Sequence, residues 1–129
     1  MSLDPKYLGK PTTGPIDDLD TFPAPDVKKV TMTSDEVTSF CPITGQPDWY
    51  EIKIEYSPDK LCIESKSLKL YLWHFRDQKI FCETMPVIIR DKVVEVIAPK
   101  ACRITAHQKM RGGITIDAVA EYGQVELLG

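Results

Sequence analysis

The chain has 129 residues, 43% of them hydrophobic and 27% charged, a size and balance that support one domain with a core of its own. Sixteen basic against nineteen acidic residues give a formal net charge of -3, which argues against a protein that lives by wrapping nucleic-acid phosphates. No apolar run approaches the roughly 20 residues that span a bilayer, and residues 1–10 carry no apolar signal core; the expectation is a cytoplasmic chain with no membrane partner.

Residues 1–26 hold Pro5, Pro11, Pro15, Pro23 and Pro25, with Gly9, Gly14 and the acidic run Asp17, Asp18 and Asp20. That content excludes a regular helix or a central strand. It predicts an extended arm, either a loose tail or a strap laid over a neighbour. Residues 27–129 then read as a single domain. The β-branched stretch 27–33 predicts a strand. Residues 39–48 carry Pro42, Gly45 and Pro47 and read as a loop. Tyr50, Ile52, Ile54 and Tyr56 alternate with Glu51, Lys53 and Glu55, the pattern of a half-buried strand. A turn at 57–59 and a short strand at 61–64 predict a hairpin with it.

The period then changes. Leu68, Tyr71, Leu72 and Phe75 are spaced as one helical stripe within 65–75. A second helix is predicted over 81–97, with Val87, Ile88, Val93, Val94 and Ile97 as its apolar content. Pro86 is tolerable there only in a first turn, and Pro99 ends the helix. Two strands follow at 103–110 and 114–121, joined by a turn at Arg111, Gly112 and Gly113. Strands, two helices and two strands make an α+β class with an antiparallel sheet.

Cys41, Cys62, Cys82 and Cys102 form no C-x-x-C pair, and only His74 and His107 could join them. A structural metal and a disulfide framework are both unsupported. The thiols read as packing residues with one reactive thiolate among them. Cys41 is the candidate, because it stands in the Pro/Gly loop rather than in an apolar stripe, seven residues before Asp48. A loop thiol with a lowered pKa is a nucleophile, and Asp48 is a candidate general acid or base; a semi-buried inert thiol is the alternative.

The run Glu64, Ser65, Lys66, Ser67, Leu68 and Lys69 lies where a strand gives way to a helix. It is either an anion seat at a helix N-terminus or an ordinary cap by Ser65 or Ser67 with solvated lysines. Arg111 and Gly112 either make only a turn or grip a phosphate. Glu83 is either helped by a helix dipole or accepts N–H groups from a guanine-like edge. The two histidines read as packing or surface residues. Trp49, Trp73, Tyr50 and Tyr71 read as core or subunit contacts.

Taken together, residues 39–48 (SFCPITGQPD), 64–71 (ESKSLKLY), Phe75-Arg76, Glu83 and Arg111-Gly112-Gly113-Ile114 resemble the QueF family, the NADPH-dependent 7-cyano-7-deazaguanine reductases of queuosine biosynthesis, a tRNA-modification pathway. The resemblance covers about residues 35–123 and looks like the short unimodular members. It implies a tunnelling fold (T-fold): an antiparallel sheet with two helices on one face, assembled into an oligomeric ring. Members of this type look like stacked pentamer rings with active sites between subunits.

By position, the resemblance makes Cys41 the nucleophile that forms a thioimide with the nitrile and Asp48 the proton donor. Ile63, Glu64, Ser65, Cys82 and Glu83 fall on substrate-binding positions. Ser65, Lys66, Arg111 and Gly112 fall on positions that bind NADPH. Cys82 stands where many members carry His. It suggests a disulfide with Cys41 as a shut-off. Two other readings belong to the same fold: an amidinotransferase acting on nitrile-modified tRNA, and a non-catalytic purine or pterin binder.

Overall fold

The computed structural model describes residues 14–129; the first half of the predicted arm, with Pro5, Gly9 and Pro11, lies outside the described residues. Strand β1 (Thr21–Pro23) is followed by β2 (Val30–Phe40), β3 (Pro47–Ser57) and β4 (Leu61–Ile63). Helix α1 (Ser65–Trp73) runs into a 3-10 turn at His74–Asp77, and α2 (Met85–Ile97) leads to β5 (Ala101–Arg111), β6 (Ile114–Gly123) and a closing 3-10 turn at Val125–Leu128. Four strands form one antiparallel sheet in the order β2-β3-β5-β6.

The alternation read at Tyr50–Tyr56 is the core face of β3. Tyr50, Ile52, Ile54 and Tyr56 are all buried, beside Cys102, Ile104 and Ala106 of β5. Against them pack Leu68, Tyr71, Leu72 and Phe75 of the helical stripe and Met85, Ile89, Val93 and Ile97 of α2. Both helices thus share one face, and the other face carries Glu51, Lys53, Glu55, Arg103, His107 and Asp117. A sheet with one face covered alternates apolar and polar residues in this way.

Four expectations are corrected. The strand predicted at 27–33 starts only at Val30 and runs on to Phe40, paired with β3 along its length. The strand at 61–64 makes no hairpin with β3: β4 pairs with β1 in a separate two-stranded sheet, Phe22 opposite Cys62. The short Ser57 turn carries the chain off the sheet, and the place beside β3 is taken by β5, whose apolar alternation is longer. The second helix starts at Met85 rather than 81, which puts Pro86 in the first turn, where its missing N–H costs nothing. Its buried side is Met85, Ile89, Val93 and Ile97, while Val87 and Ile88 stay exposed. Residues 39–40 and 47–48 belong to strands, so the loop is only 41–46.

Residues 14–25 lie against the domain. Leu19 joins the core, Ile16 N–H donates to the Leu70 carbonyl at 3.2 Å, and Glu64 N–H donates to the Asp20 carbonyl at 2.9 Å. Ser67, fully buried, links the two segments: its Oγ accepts the Asp20 N–H and donates to the Glu64 carbonyl, both at 2.8 Å.

Two bulges interrupt the ladder. In β2, Ser34 faces Ile52 but Val37 faces Tyr50, three residues against two. In β5, Gln108 faces Ile116 but Arg111 faces Ile114. One extra residue reverses which face each later side chain points to. The β2 bulge turns Val37 and Ser39 inward, where both are buried.

Candidate active site

The loop after β2 closes on itself. Cys41 N–H donates to the Gln46 carbonyl at 2.8 Å, and Gly45 N–H returns to the Cys41 carbonyl at 2.9 Å. Gly45 takes a φ of 70°, a left-handed conformation that glycine adopts freely. This tight turn holds Cys41 half-buried at a rim. The Thr44 N–H, then the Thr44 hydroxyl and the Ile43 N–H, face its sulfur and hold the thiol below its ordinary value of 9.0, against partial desolvation and the charge of Asp48. Thr44 Oγ1 itself accepts the Gln46 N–H at 3.2 Å, which leaves the hydroxyl proton to donate to sulfur.

Asp48 is the second residue of β3, opposite Ser39, and is buried. Its Oδ1 accepts from Arg111 Nη1 at 2.8 Å. Beneath it, Ser39 Oγ donates to the Tyr50 hydroxyl at 3.1 Å. Cys82 and Glu83 come from the turn that precedes α2. Cys82 is buried with its Sγ 3.8 Å from the Ala106 and Ile116 carbonyls. Burial, with the Glu83 charge behind it, pushes its thiol up to about 11. Cys41, Thr44, Asp48, Cys82, Glu83 and Arg111 line one cleft of about 310 Å³. Both cysteines of the proposed shut-off pair therefore face one cleft, and both thiols are free.

A second group lies at the start of α1. Glu64, not Ser65 or Ser67, is the N-cap: its carboxylate accepts the N–H groups of Lys66 and Ser67, each at 2.8 Å. The helix N-terminus read as an anion seat is filled by the chain's own carboxylate, as the dipole favours. Ile63 is buried and its N–H donates to the Tyr56 hydroxyl at 2.9 Å. Ser65 opens instead onto a groove of about 940 Å³ between β2 and α1, shared with Lys69, Val37 and Trp73. Neither hollow is lined by both groups.

The other aromatic and imidazole candidates separate cleanly. Tyr50 and Tyr71 are core, whereas Trp49 and Trp73 stay exposed. His74 packs on Tyr71 and Phe75, ring centroids 5.0 and 4.3 Å away. His107 pairs with Asp117 at 2.5 Å on the open face of the sheet. Among the described residues, no group of three His, Cys, Asp or Glu side chains is placed to hold a metal ion. Thr44 and Gln46 were missed as site residues by the sequence reading. Their signal was position alone, three and five residues past the candidate cysteine.

A family profile described as QueF-like protein matches residues 47–126. The NADPH-dependent 7-cyano-7-deazaguanine reductase of Syntrophus aciditrophicus is 48% identical over 81% of this chain and 76% of its own. The chain belongs to the QueF family. The reductase of the same description from Alkalilimnicola ehrlichii is 44% identical over 86% of this chain and 88% of its own. Among solved structures, an archaeosine synthase QueF-Like in the apo form superposes with a TM-score of 0.73 at 25% identity, over 78% of this chain and 99% of that one. The QueF chain described here therefore has the T-fold, with its sheet and helices arranged as the sequence resemblance implied.

Proposed function

We propose that this chain reduces the nitrile of 7-cyano-7-deazaguanine to an aminomethyl group with NADPH, as a step in queuosine biosynthesis. The observation that carries the reading is that Cys41, Asp48 and Glu83, distant in sequence, line one cleft. The Cys41 sulfur, drawn toward thiolate by Thr44, attacks the nitrile carbon. A C–S bond forms, one C–N π bond opens, and Asp48 places a proton on nitrogen, which leaves a thioimide on Cys41. Glu83, exposed at the cleft and with no partner of its own among the described residues, accepts N–H groups from the guanine-like edge. The covalent link holds the half-reduced carbon in place between reduction steps.

The residues assigned to NADPH suit an elongated polyanion. Ser65 and Lys69 open onto the larger groove, Lys66 adds positive charge beside them, and the space around Gly112 Cα is empty, so backbone can approach a ligand there. NADPH when bound supplies hydride, once for each two-electron step. Ile63, Glu64, Ser65 and Lys66 lie apart from the cleft of their own protomer, so this reading includes an assembly. β2 and β6 are the outer strands of the sheet, β2 being bridged at Phe40 to Lys79, and edge-to-edge rings of copies complete each site from two neighbours. The free thiols suit a reducing, cytoplasmic setting.

The test follows NADPH absorbance with 7-cyano-7-deazaguanine, alongside intact-protein mass without NADPH. The expected result is two NADPH oxidised per nitrile, abolished by Cys41→Ala. A Cys41 adduct with no NADPH consumed would instead support the amidinotransferase reading, and no adduct at all a binding protein.

A further inference from the structure

The β5 bulge puts one side chain where simple alternation would not. Cys102, Ile104, Ala106 and Gln108 follow one another on the covered face of β5. Continued alternation would send Met110 toward the cleft and Arg111 to the open face, beside Arg103 and His107. The extra residue between Gln108 and Arg111 reverses this. Met110 is left 67% exposed, and Arg111 swings across the mouth of the catalytic loop.

Its guanidinium then meets three successive residues. Nη2 donates to Gln46 Oε1, and Nη1 donates to the Pro47 carbonyl at 2.5 Å and to Asp48 Oδ1 at 2.8 Å. The Asp48 carboxylate is nine-tenths buried, and the Arg111 side chain keeps about a third of its surface. The planar fork of Arg matches such a set of acceptors, and a charge-assisted bond to carboxylate is the strongest of them. We propose that Arg111 is a positioning residue for the chemical step: it ties the end of the Cys41 loop to β5 and fixes the Asp48 carboxylate for proton transfer. This rests on the reductase reading of Cys41 and Asp48, and adds to the cofactor role that the family resemblance implies for Arg111.

The step it governs needs no reductant. The Cys41 S–H bond and one nitrile π bond break, C–S and N–H bonds form, and the proton from sulfur reaches nitrogen by way of Asp48. Proton transfer of this kind requires donor and acceptor at hydrogen-bond reach, roughly 2.6–3.2 Å, and misplacement by about 1 Å costs up to roughly 100-fold. A residue that only anchored cofactor would leave this step untouched.

The experiment compares wild type, Arg111→Met and Arg111→Lys. Adduct formation with 7-cyano-7-deazaguanine is timed by intact mass in the absence of NADPH. Iodoacetamide alkylation of Cys41 and the KM for NADPH are measured in parallel. Arg111→Met should slow the adduct at least about tenfold, with Arg111→Lys intermediate, and by a larger factor than it slows alkylation, which senses only the thiolate. An adduct formed at the wild-type rate by Arg111→Met, with only the KM for NADPH raised, would overturn the proposal and leave Arg111 as an anchor. Should Arg111→Met lose its circular dichroism, Arg111→Lys alone carries the comparison, and a wild-type adduct rate in it overturns the proposal equally. A wild type that forms no adduct would instead remove the reductase reading on which the proposal stands.

Discussion

A thiol attacks a nitrile only as thiolate, so what surrounds the Cys41 sulfur decides its use. The Thr44 N–H and hydroxyl are the leading stabilisers of the anion. Because they hold the thiol below 9.0, its thiolate is present at lower pH than for an ordinary cysteine. The iodoacetamide rate against pH should therefore have its midpoint below 9.0 and move upward in Thr44→Val, with Thr44→Ser near wild type. A midpoint unmoved by Thr44→Val would show that the hydroxyl does not matter. Cys82 is the contrasting case: burial lifts it to about 11, so at pH 8 it should resist the reagent, and Cys41→Ala should lose all rapid labelling. That difference was only half legible. A Pro/Gly loop exposes its cysteine by its own chemistry, whereas the burial of Cys82 follows from β5 and β6 arriving over it.

At the scale of elements, the stripe at Leu68–Phe75 and the alternation of β3 could be read directly, because each carries its own period. The hairpin error at 61–64 arose because a short apolar run does not name its partner; β1, from the Pro-rich segment, pairs with it through contacts 42 or fewer residues away in sequence. The bulges hide for a related reason: an extra residue at Asp35–Glu36 or Lys109–Met110 looks like a break in pattern. Gly123 ends β6 with a φ of 78°, and a Cβ there would stand 2.3 Å from the Lys100 carbonyl oxygen. Gly123→Ala should cost about 1–3 kcal/mol or more by urea unfolding; an unchanged midpoint would contradict this packing. Ser67→Ala removes both bonds of the buried hydroxyl, to the Asp20 N–H and the Glu64 carbonyl, and should cost about 1–3 kcal/mol, with the loosening of residues 14–20 visible as faster amide exchange.

For the whole molecule, the outer edges of β2, bridged at Phe40 to Lys79, and of β6, with the split of the predicted site residues between two hollows, lead to one prediction. Light scattering should give a multiple of the 14.6 kDa chain mass. On the proposed assembly, in which Cys41 and Lys66 come from neighbouring copies, Cys41→Ala and Lys66→Ala, each inactive alone, should recover turnover when refolded together. A fully active 14.6 kDa monomer would end the shared-site reading. The class of fold, the existence of two helices, a Pro/Gly loop around Cys41 and the family were legible in the chain alone, since periodicity, turn residues and contiguous motifs are local properties. Only the tertiary structure decided which strand neighbours β3, which way Arg111 points, that Glu64 caps α1 with its own carboxylate, and which predicted site residues meet. Those outcomes depend on register and on contacts between distant segments, where a single inserted residue reverses a face.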